Sequence, residues 1–174
     1  MKGQVAFLLL VLSASACQTA TQLIEKHEGL ELCVYTDTTG NPTICYGFNL
    51  NKSGAAAEIA SVGGNFHHLM DTDDTPSERC LKQDQCEKLL TPDINSAASQ
   101  AVSIFGSYCT CVQAVLTDFV YNVGEGTAAT FTTFKSELQA GNYAGAANDL
   151  KGSLWCRQVG TRCSDDTSIL AAGC

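Results

Sequence analysis

The segment from Glu28 to Gly47, EGLELCVYTDTTGNPTICYG, is the part of the sequence from which the fold can be argued. Short runs of β-favouring residues lie on both sides of a Gly-Asn-Pro turn at 40–42, a pattern that predicts a β-hairpin. Residues 19–29, just before it, have helical spacing, and Thr19 with Gln22 resembles a capping box. We therefore expect a short helix that leads directly into a hairpin.

Two carboxylates and a hydroxyl in this segment suit glycoside hydrolysis. That reaction needs one protonated carboxyl to donate to the leaving oxygen and one ionised carboxylate to activate water or attack the sugar. Glu28 lies at the negative end of the helix, where the proton is favoured, whereas Asp37 lies beside turn amides and hydroxyls that favour its ionised form. Thr43 is placed to hold a water against Asp37. Ordinary surface acids are the alternative, because the chain has 18 Asp and Glu residues.

The same positions resemble the active-site signature of the phage-type lysozymes, glycoside hydrolase family 24. The shared pattern is Glu-Gly at a helix end, then Tyr-x-Asp-x-x-Gly, then Thr-Ile-x-Tyr-Gly; its members here are Glu28, Gly29, Tyr35, Asp37, Gly40, Thr43, Ile44, Tyr46 and Gly47. The resemblance implies that Glu28 is the general acid, Asp37 the carboxylate on the base side, and Thr43 its water-positioning partner. Two positions depart from the family, which often has Gly at Cys45 and usually has His at Phe48.

The resemblance also implies an α+β, lysozyme-like fold. We expect a small β-hairpin lobe over residues 17–80, a long connecting helix over 81–105, and a larger helical lobe over 106–174 that includes the N-terminal helix. Pro92 should kink the connecting helix or divide it into two pieces. A strongly apolar helical pattern from Val112 to Val123 is predicted to form the core of the larger lobe.

Three residues of the larger lobe are expected to support the site. Asn122 begins the segment NVGEG, which resembles a segment of the family, and Trp155 is followed seven residues later by Arg162, as in the family. The resemblance implies that Trp155 packs behind the cleft near Asn122 and that Arg162 reaches Glu28. Plain core packing is the alternative for Trp155. His27 lies about 100° around the helix from Glu28, so we expect it at the surface or at a packing edge.

Residues 1–16, MKGQVAFLLLVLSASA, are predicted to be a cleaved secretory signal with a basic start, an apolar middle and a small-residue cleavage site. The apolar run is shorter than the roughly twenty residues that span a bilayer, so we expect no membrane anchor. Residues 17–174 then form a single domain with a substantial core. The net charge is −8, or −9 without Lys2, which argues against binding to nucleic acid.

All ten cysteines follow the predicted cleavage site: 17, 33, 45, 80, 86, 109, 111, 156, 163 and 174. An even number behind a secretory signal predicts a framework of five disulfides and an extracellular location, although the sequence leaves the pairing open. A metal site is the weaker alternative, because no CxxC pair is present. We expect no metal, no cofactor and a monomer.

The predicted function is a secreted lysozyme that hydrolyses the β-1,4 bond between N-acetylmuramic acid and N-acetylglucosamine in bacterial peptidoglycan. The resemblance implies inversion at the anomeric carbon, and the biological role would be antibacterial defence or digestion. Three alternatives stay open. They are a non-catalytic peptidoglycan-binding protein on the same scaffold, a hydrolase directed at chitin, and a disulfide-rich signalling or inhibitor protein.

Overall fold

The computed structural model describes residues 17–174, and the predicted secretory signal lies outside the described residues. The described chain is mostly helical with one small antiparallel sheet. Its elements in order are α1 Ala20–Glu28, β1 Glu31–Thr36, β2 Pro42–Cys45, β3 Phe48–Asn49, α2 Ala55–Ser61, α3 Phe66–Met70, α4 Gln83–Phe105, α5 Thr110–Val123, α6 Glu125–Ala128, α7 Thr132–Gln139, α8 Tyr143–Gly152, α9 Leu154–Val159 and α10 Thr161–Ala172. The α+β class expected from the sequence is confirmed.

The helix and hairpin at the start of the chain form as the sequence predicts. The hydroxyl of Thr19 accepts the backbone N–H of Gln22, and the Gln22 side chain accepts the backbone N–H of Thr19. α1 ends at Gly29, whose φ of 73° is a conformation that glycine adopts without a steric cost. β1 and β2 pair antiparallel, with Tyr35 opposite Thr43, and β3 adds a short third strand beside β2.

Two hydrophobic cores lie along α1 and α4. The larger core is built by the helices after α4, and it includes Leu23 from α1 and Phe105 from the end of α4. The smaller core is built by β2, β3, α2 and α3, and it includes Ile24 from α1 and Leu89 from the first half of α4. Neighbouring side chains of α1 thus enter different cores, and α4 belongs to both. Both α1 and α4 are therefore held in place by side chains buried in the two cores.

Of the two outcomes expected of Pro92, a division of the connecting helix is wrong, and a kink stays a prediction. α4 runs without a break from Gln83 to Phe105 and contains Pro92. The proline removes one backbone N–H donor, but Leu89, Leu90 and Ile94 are buried on either side of it. Burial of these side chains outweighs the local cost of the missing hydrogen bond.

All ten cysteines form disulfides: Cys17–Cys111, Cys33–Cys80, Cys45–Cys86, Cys109–Cys174 and Cys156–Cys163. Two of these bonds hold the first and last described residues against the start of α5. Five disulfides are typical of extracellular proteins. Within residues 17–174, no single helix has the length and hydropathy to cross a membrane; only α4 with α5, bent by 107° between them, passes that test as a pair.

Candidate active site

Asp37 lies at the hairpin turn, where the turn itself supplies its hydrogen-bond donors. Its Oδ1 accepts the backbone N–H of Thr39, the hydroxyl of Thr39 and the backbone N–H of Asn41, each at 2.8 Å. These donors lower the pKa of Asp37 below its ordinary value, with the amide of Asn41 contributing most and the Thr39 hydroxyl next. The turn therefore keeps Asp37 in its carboxylate form.

The second oxygen of Asp37 faces Thr43. The Thr43 hydroxyl lies 3.4 Å from Asp37 Oδ2 and 3.2 Å from the carbonyl oxygen of Asn41. One hydroxyl proton can serve only one of these acceptors at a time. Because Thr43 is buried on β2, its hydroxyl is fixed beside the oxygen that the turn amides leave free.

Glu28 at the end of α1 contacts an arginine from the far end of the chain. Arg162 Nη2 donates to Glu28 Oε1 at 2.6 Å, and the Glu28 side chain is 25 % exposed. Within residues 17–174, no hydrogen bond reaches Oε2 of Glu28. One oxygen of the carboxyl is thus anchored, and the other is free to carry a proton.

Behind Arg162 lies a buried carboxylate that the sequence analysis missed. Arg162 Nε donates to Asp118 Oδ2 at 3.1 Å, and the Asp118 side chain is 0 % exposed. A signal for it exists in the sequence, because Asp118 is the one charged residue of α5, the most apolar long helix. A lone charge on such a helix is rarely buried without a partner.

The expectation that His27 lies at the surface or a packing edge is wrong. Its side chain is 3 % exposed, and both ring nitrogens face carboxylates, Nδ1 to Asp118 at 3.0 Å and Nε2 to Asp165 at 3.1 Å. Lys26 also pairs with Asp165, at 2.7 Å. Because α1 packs against α5, the side of α1 next to Glu28 is covered by other helices.

The two candidate catalytic carboxyls both lie near Tyr35. Tyr35 lies near both, and its pKa is raised by partial burial first and then by the charges of Asp37, Glu31 and Glu28. Tyr121, on α5, is also close to Glu28, whose charge adds to the effect of burial in raising the pKa of this phenol. The acid at the end of α1 and the acid of the hairpin therefore act on the same tyrosine, Tyr35.

A groove of about 170 Å³ lies between the sheet and α4. Tyr46, Phe48, Lys52, Asp93 and Tyr121 are among its lining residues. The ammonium of Lys52 lies 4.0 Å from the centre of the Phe48 ring. Phe48, at the position where the family usually has His, therefore forms a cation–π contact in the lining of the groove. Aromatic faces with a few polar groups suit a sugar chain.

The Cys45 departure also has a structural reason. Cys45 has a φ of 61°, the left-handed region in which a residue other than glycine is strained. Its disulfide to Cys86 joins β2 to α4. The strained position is thus tied directly to the helix that connects the two cores.

Trp155 and Asn122 make the contact expected from the resemblance. Trp155 Nε1 donates to Asn122 Oδ1 at 2.8 Å, and the indole packs edge-on against Phe119 with ring centres 5.0 Å apart. Trp155 is therefore both a core residue and the partner of Asn122. A role for either residue in substrate binding stays a prediction.

Comparison with known proteins identifies one family. A model of the phage lysozyme family matches residues 25–165, which include Glu28, Asp37, Thr43 and Arg162. The chain is also 24 % identical over 158 residues to the pre-baseplate central spike protein Gp5 of Enterobacteria phage T4. That alignment covers 87 % of this chain but only 27 % of Gp5, so the chain spans about a quarter of that relative.

Proposed function

The chain belongs to the phage lysozyme family, and on that premise we propose that it is a secreted lysozyme of bacterial peptidoglycan. Family membership supports glycoside hydrolase chemistry in general. The bond that we propose is the β-1,4 linkage between N-acetylmuramic acid and N-acetylglucosamine. The observation that carries the proposal is the pair of carboxyls near Tyr35, one of them held ionised by its turn and the other without a hydrogen bond at Oε2.

In the proposed mechanism Glu28 is the general acid. Its Oε2 proton passes to the leaving glycosidic oxygen while Arg162 fixes the carboxyl through Oε1. A neighbouring guanidinium by itself favours the ionised form of a carboxyl. Asp118 shares the same guanidinium, so the positive charge of Arg162 is divided between two carboxylates.

Asp37 acts on the other side of the sugar ring. As a stable carboxylate beside the Thr43 hydroxyl, it accepts a proton from an attacking water that the two groups hold in place. Attack by water opposite the leaving group gives inversion at the anomeric carbon. The groove with Phe48 and Tyr121 would take the neighbouring sugars.

The test is hydrolysis of purified peptidoglycan by the disulfide-bonded protein, followed as release of reducing ends. Borohydride reduction and mass spectrometry of the products should find reduced N-acetylmuramic acid at the new ends. Binding of peptidoglycan without new reducing ends would favour the non-catalytic alternative, and preferential cleavage of chitin oligomers would favour the chitin-directed one. Proton NMR of the first-formed anomer tests inversion.

We expect the initial rate of wall hydrolysis to increase as salt is added to a low-salt buffer. The chain has a net charge of −8, so an anionic cell wall repels it at long range. At about 0.1 M salt the screening length is about 10 Å, which removes most of that repulsion. The measurement is the rate on intact walls across a salt series, with a short neutral oligosaccharide as the control substrate. An equal salt response on both substrates would contradict the explanation.

Thr43→Val should lower kcat by about tenfold or more, because the hydroxyl beside Asp37 is lost while the buried volume is kept. Thr43→Ser, which keeps the hydroxyl, is the matched control and should retain most of the activity. Thermal unfolding of both variants checks that the fold is intact. Equal activity of the Val and Ser variants would remove Thr43 from the mechanism.

A further inference from the structure

A cluster of seven ionisable side chains lies behind Glu28, and its charges do not balance. α1 supplies Lys26, His27 and Glu28, α5 supplies Asp118, and α10 supplies Arg162, Asp165 and Asp166. The cluster thus holds four carboxyl groups against three basic groups. One carboxyl has no positive partner even when every basic group is charged.

Asp166 is the carboxyl without a partner. It is 0 % exposed, and both of its oxygens are buried with no hydrogen-bond donor within reach. The basic groups nearby are already engaged, because Arg162 bonds Asp118 and Glu28, and His27 bonds Asp118 and Asp165. An ionised Asp166 would be an uncompensated buried charge, which is among the most costly arrangements in a protein interior.

Asp118 is the natural acceptor for a proton on Asp166. Three polar atoms lie within 4.8 Å of one another: one oxygen of Asp118, one oxygen of Asp166 and one ring nitrogen of His27. Burial raises the pKa of Asp166 to about 9, and the charge of the neighbouring Asp118 adds to the effect. A protonated carboxyl has one O–H to donate, and Asp118 is a carboxylate that can accept it.

The titratable groups that face Asp166 come from α1, α5 and its own helix; they are His27, Asp118, Arg162 and Asp165. The helices α8 and α9 also pack against α10. Their titratable residues make no hydrogen bond to Asp166; these residues are Tyr143, Asp149, Lys151 and Arg157. The buried residues of α8 are apolar, so they raise the cost of a charge at this position.

We propose that Asp166 is a neutral carboxylic acid in the folded protein, that it donates its proton to Asp118, and that this pair is the positioning element that holds Arg162 against Glu28. The last part rests on the proposed function. Asp118 already accepts from His27 and from Arg162. The Asp166 proton completes its hydrogen bonds and fixes the orientation that Arg162 needs to reach Glu28.

The same three residues, His27, Asp118 and Asp166, have the composition of a metal site, but their contacts argue against one. Both ring nitrogens of His27 already contact carboxylate oxygens, at 3.0 Å and 3.1 Å, so neither nitrogen is open to a cation. Arg162 also bonds the Asp118 oxygen that faces His27. A proton satisfies Asp166 without disturbing any of these contacts.

The first test is the pH dependence of stability, compared between the wild type and Asp166→Asn. At pH values between the ordinary pKa of an aspartic acid, 3.8, and the folded-state pKa of Asp166, about 9, the folded protein holds one proton that the unfolded chain has released. The stabilisation is therefore complete below the lower value and is lost as pH rises towards the upper one. The unfolding equilibrium constant of the wild type, divided by that of the variant, should rise about tenfold per pH unit.

Asp73→Asn is the control for that series, because Asp73 is an exposed acid outside the cluster. Its curve should run parallel to the wild type, and a parallel curve for Asp166→Asn would overturn the proposal. If Asp166→Asn fails to fold, carbon-13 NMR of the labelled wild type decides. One aspartic carboxyl carbon should have the shift of a protonated acid at neutral pH, and its absence would overturn the proposal. So would a stability that falls with EDTA and returns with added Zn²⁺ or Ca²⁺.

The positioning role is tested through the pH profile of kcat on peptidoglycan. Asp166→Leu fills the position with an apolar side chain and removes the donor to Asp118. Arg162 is then drawn away from Glu28 towards Asp118. The alkaline limb of the kcat profile should therefore shift to higher pH. Asp166→Asn, whose amide can donate, should return the limb towards the wild type with little change in KM. If the alkaline limb of the kcat profile lay at the same pH in both variants, the positioning role would be overturned. If the wild type lacked hydrolase activity, the proposed function would fail. The stability and NMR results would still decide whether Asp166 is protonated.

Discussion

Glu28→Gln should fold as the wild type does and lose at least about a hundredfold of its activity on peptidoglycan. The glutamine amide keeps the shape of the carboxyl, and its oxygen can still accept the hydrogen bond from Arg162. It cannot supply the proton that the leaving oxygen needs. The measurement is the initial rate of reducing-end release at saturating substrate, with thermal unfolding of the same preparations.

Glu31→Gln is the matched control for this variant. Glu31 is an exposed acid at the start of β1, three residues along the chain, and it also lies near Tyr35. It should keep the activity of the wild type, because it makes no contact with Arg162. If Glu28→Gln kept more than about a tenth of the activity, Glu28 would not be the general acid, since such catalysis contributes about 10²- to 10⁴-fold.

The local parts of the site could be predicted from the sequence because their contacts span few residues. The capping box of α1 joins Thr19 to Gln22, and the donors to Asp37 come from the next four residues. Turns and helix caps are specified by residues that lie only a few positions apart in the sequence. The Arg162 contact with Glu28 spans 134 residues, and only the resemblance to a known family indicated it.

The buried cluster could not be predicted in the same way. His27 meets Asp118 across 91 residues and Asp165 across 138, and no local pattern encodes a contact of that range. Helical spacing gives the direction of the His27 side chain relative to Glu28, but it does not say which other helix covers that side. The prediction for His27 failed for this reason.

Pro92 shows the opposite case, because the division of the helix that it allowed does not occur. Proline in a helix interior costs one hydrogen bond and crowds the preceding turn. The sequence does not show that this part of α4 packs into the smaller core, with Leu89 and Leu90 buried just before the proline and Ile94 just after it. Tertiary burial routinely overrides local propensity in this way.

Asp118→Ala should strongly destabilise the folded protein. The side chain is 0 % exposed, and it accepts hydrogen bonds from both Arg162 and His27, whose side chains are 7 % and 3 % exposed. Removing one partner from a buried ionic network typically costs about 3–5 kcal/mol, because the remaining charges stay buried without compensation. At about 2–4 °C per kcal/mol for a domain of this size, the melting temperature should fall by roughly 6–20 °C.

Asp84→Ala is the control, since Asp84 forms an exposed pair with Lys88 four residues away on α4. Exposed pairs of this kind contribute little to stability, so its melting temperature should stay close to that of the wild type. Asp118→Asn should lie between the two, because its amide oxygen can still accept from Arg162 while the charge is lost. A loss in Asp118→Ala no larger than in Asp84→Ala would mean that Glu28 alone compensates Arg162. In that case the buried carboxylate would not hold the guanidinium in place, and the link from α5 to the candidate general acid would be broken.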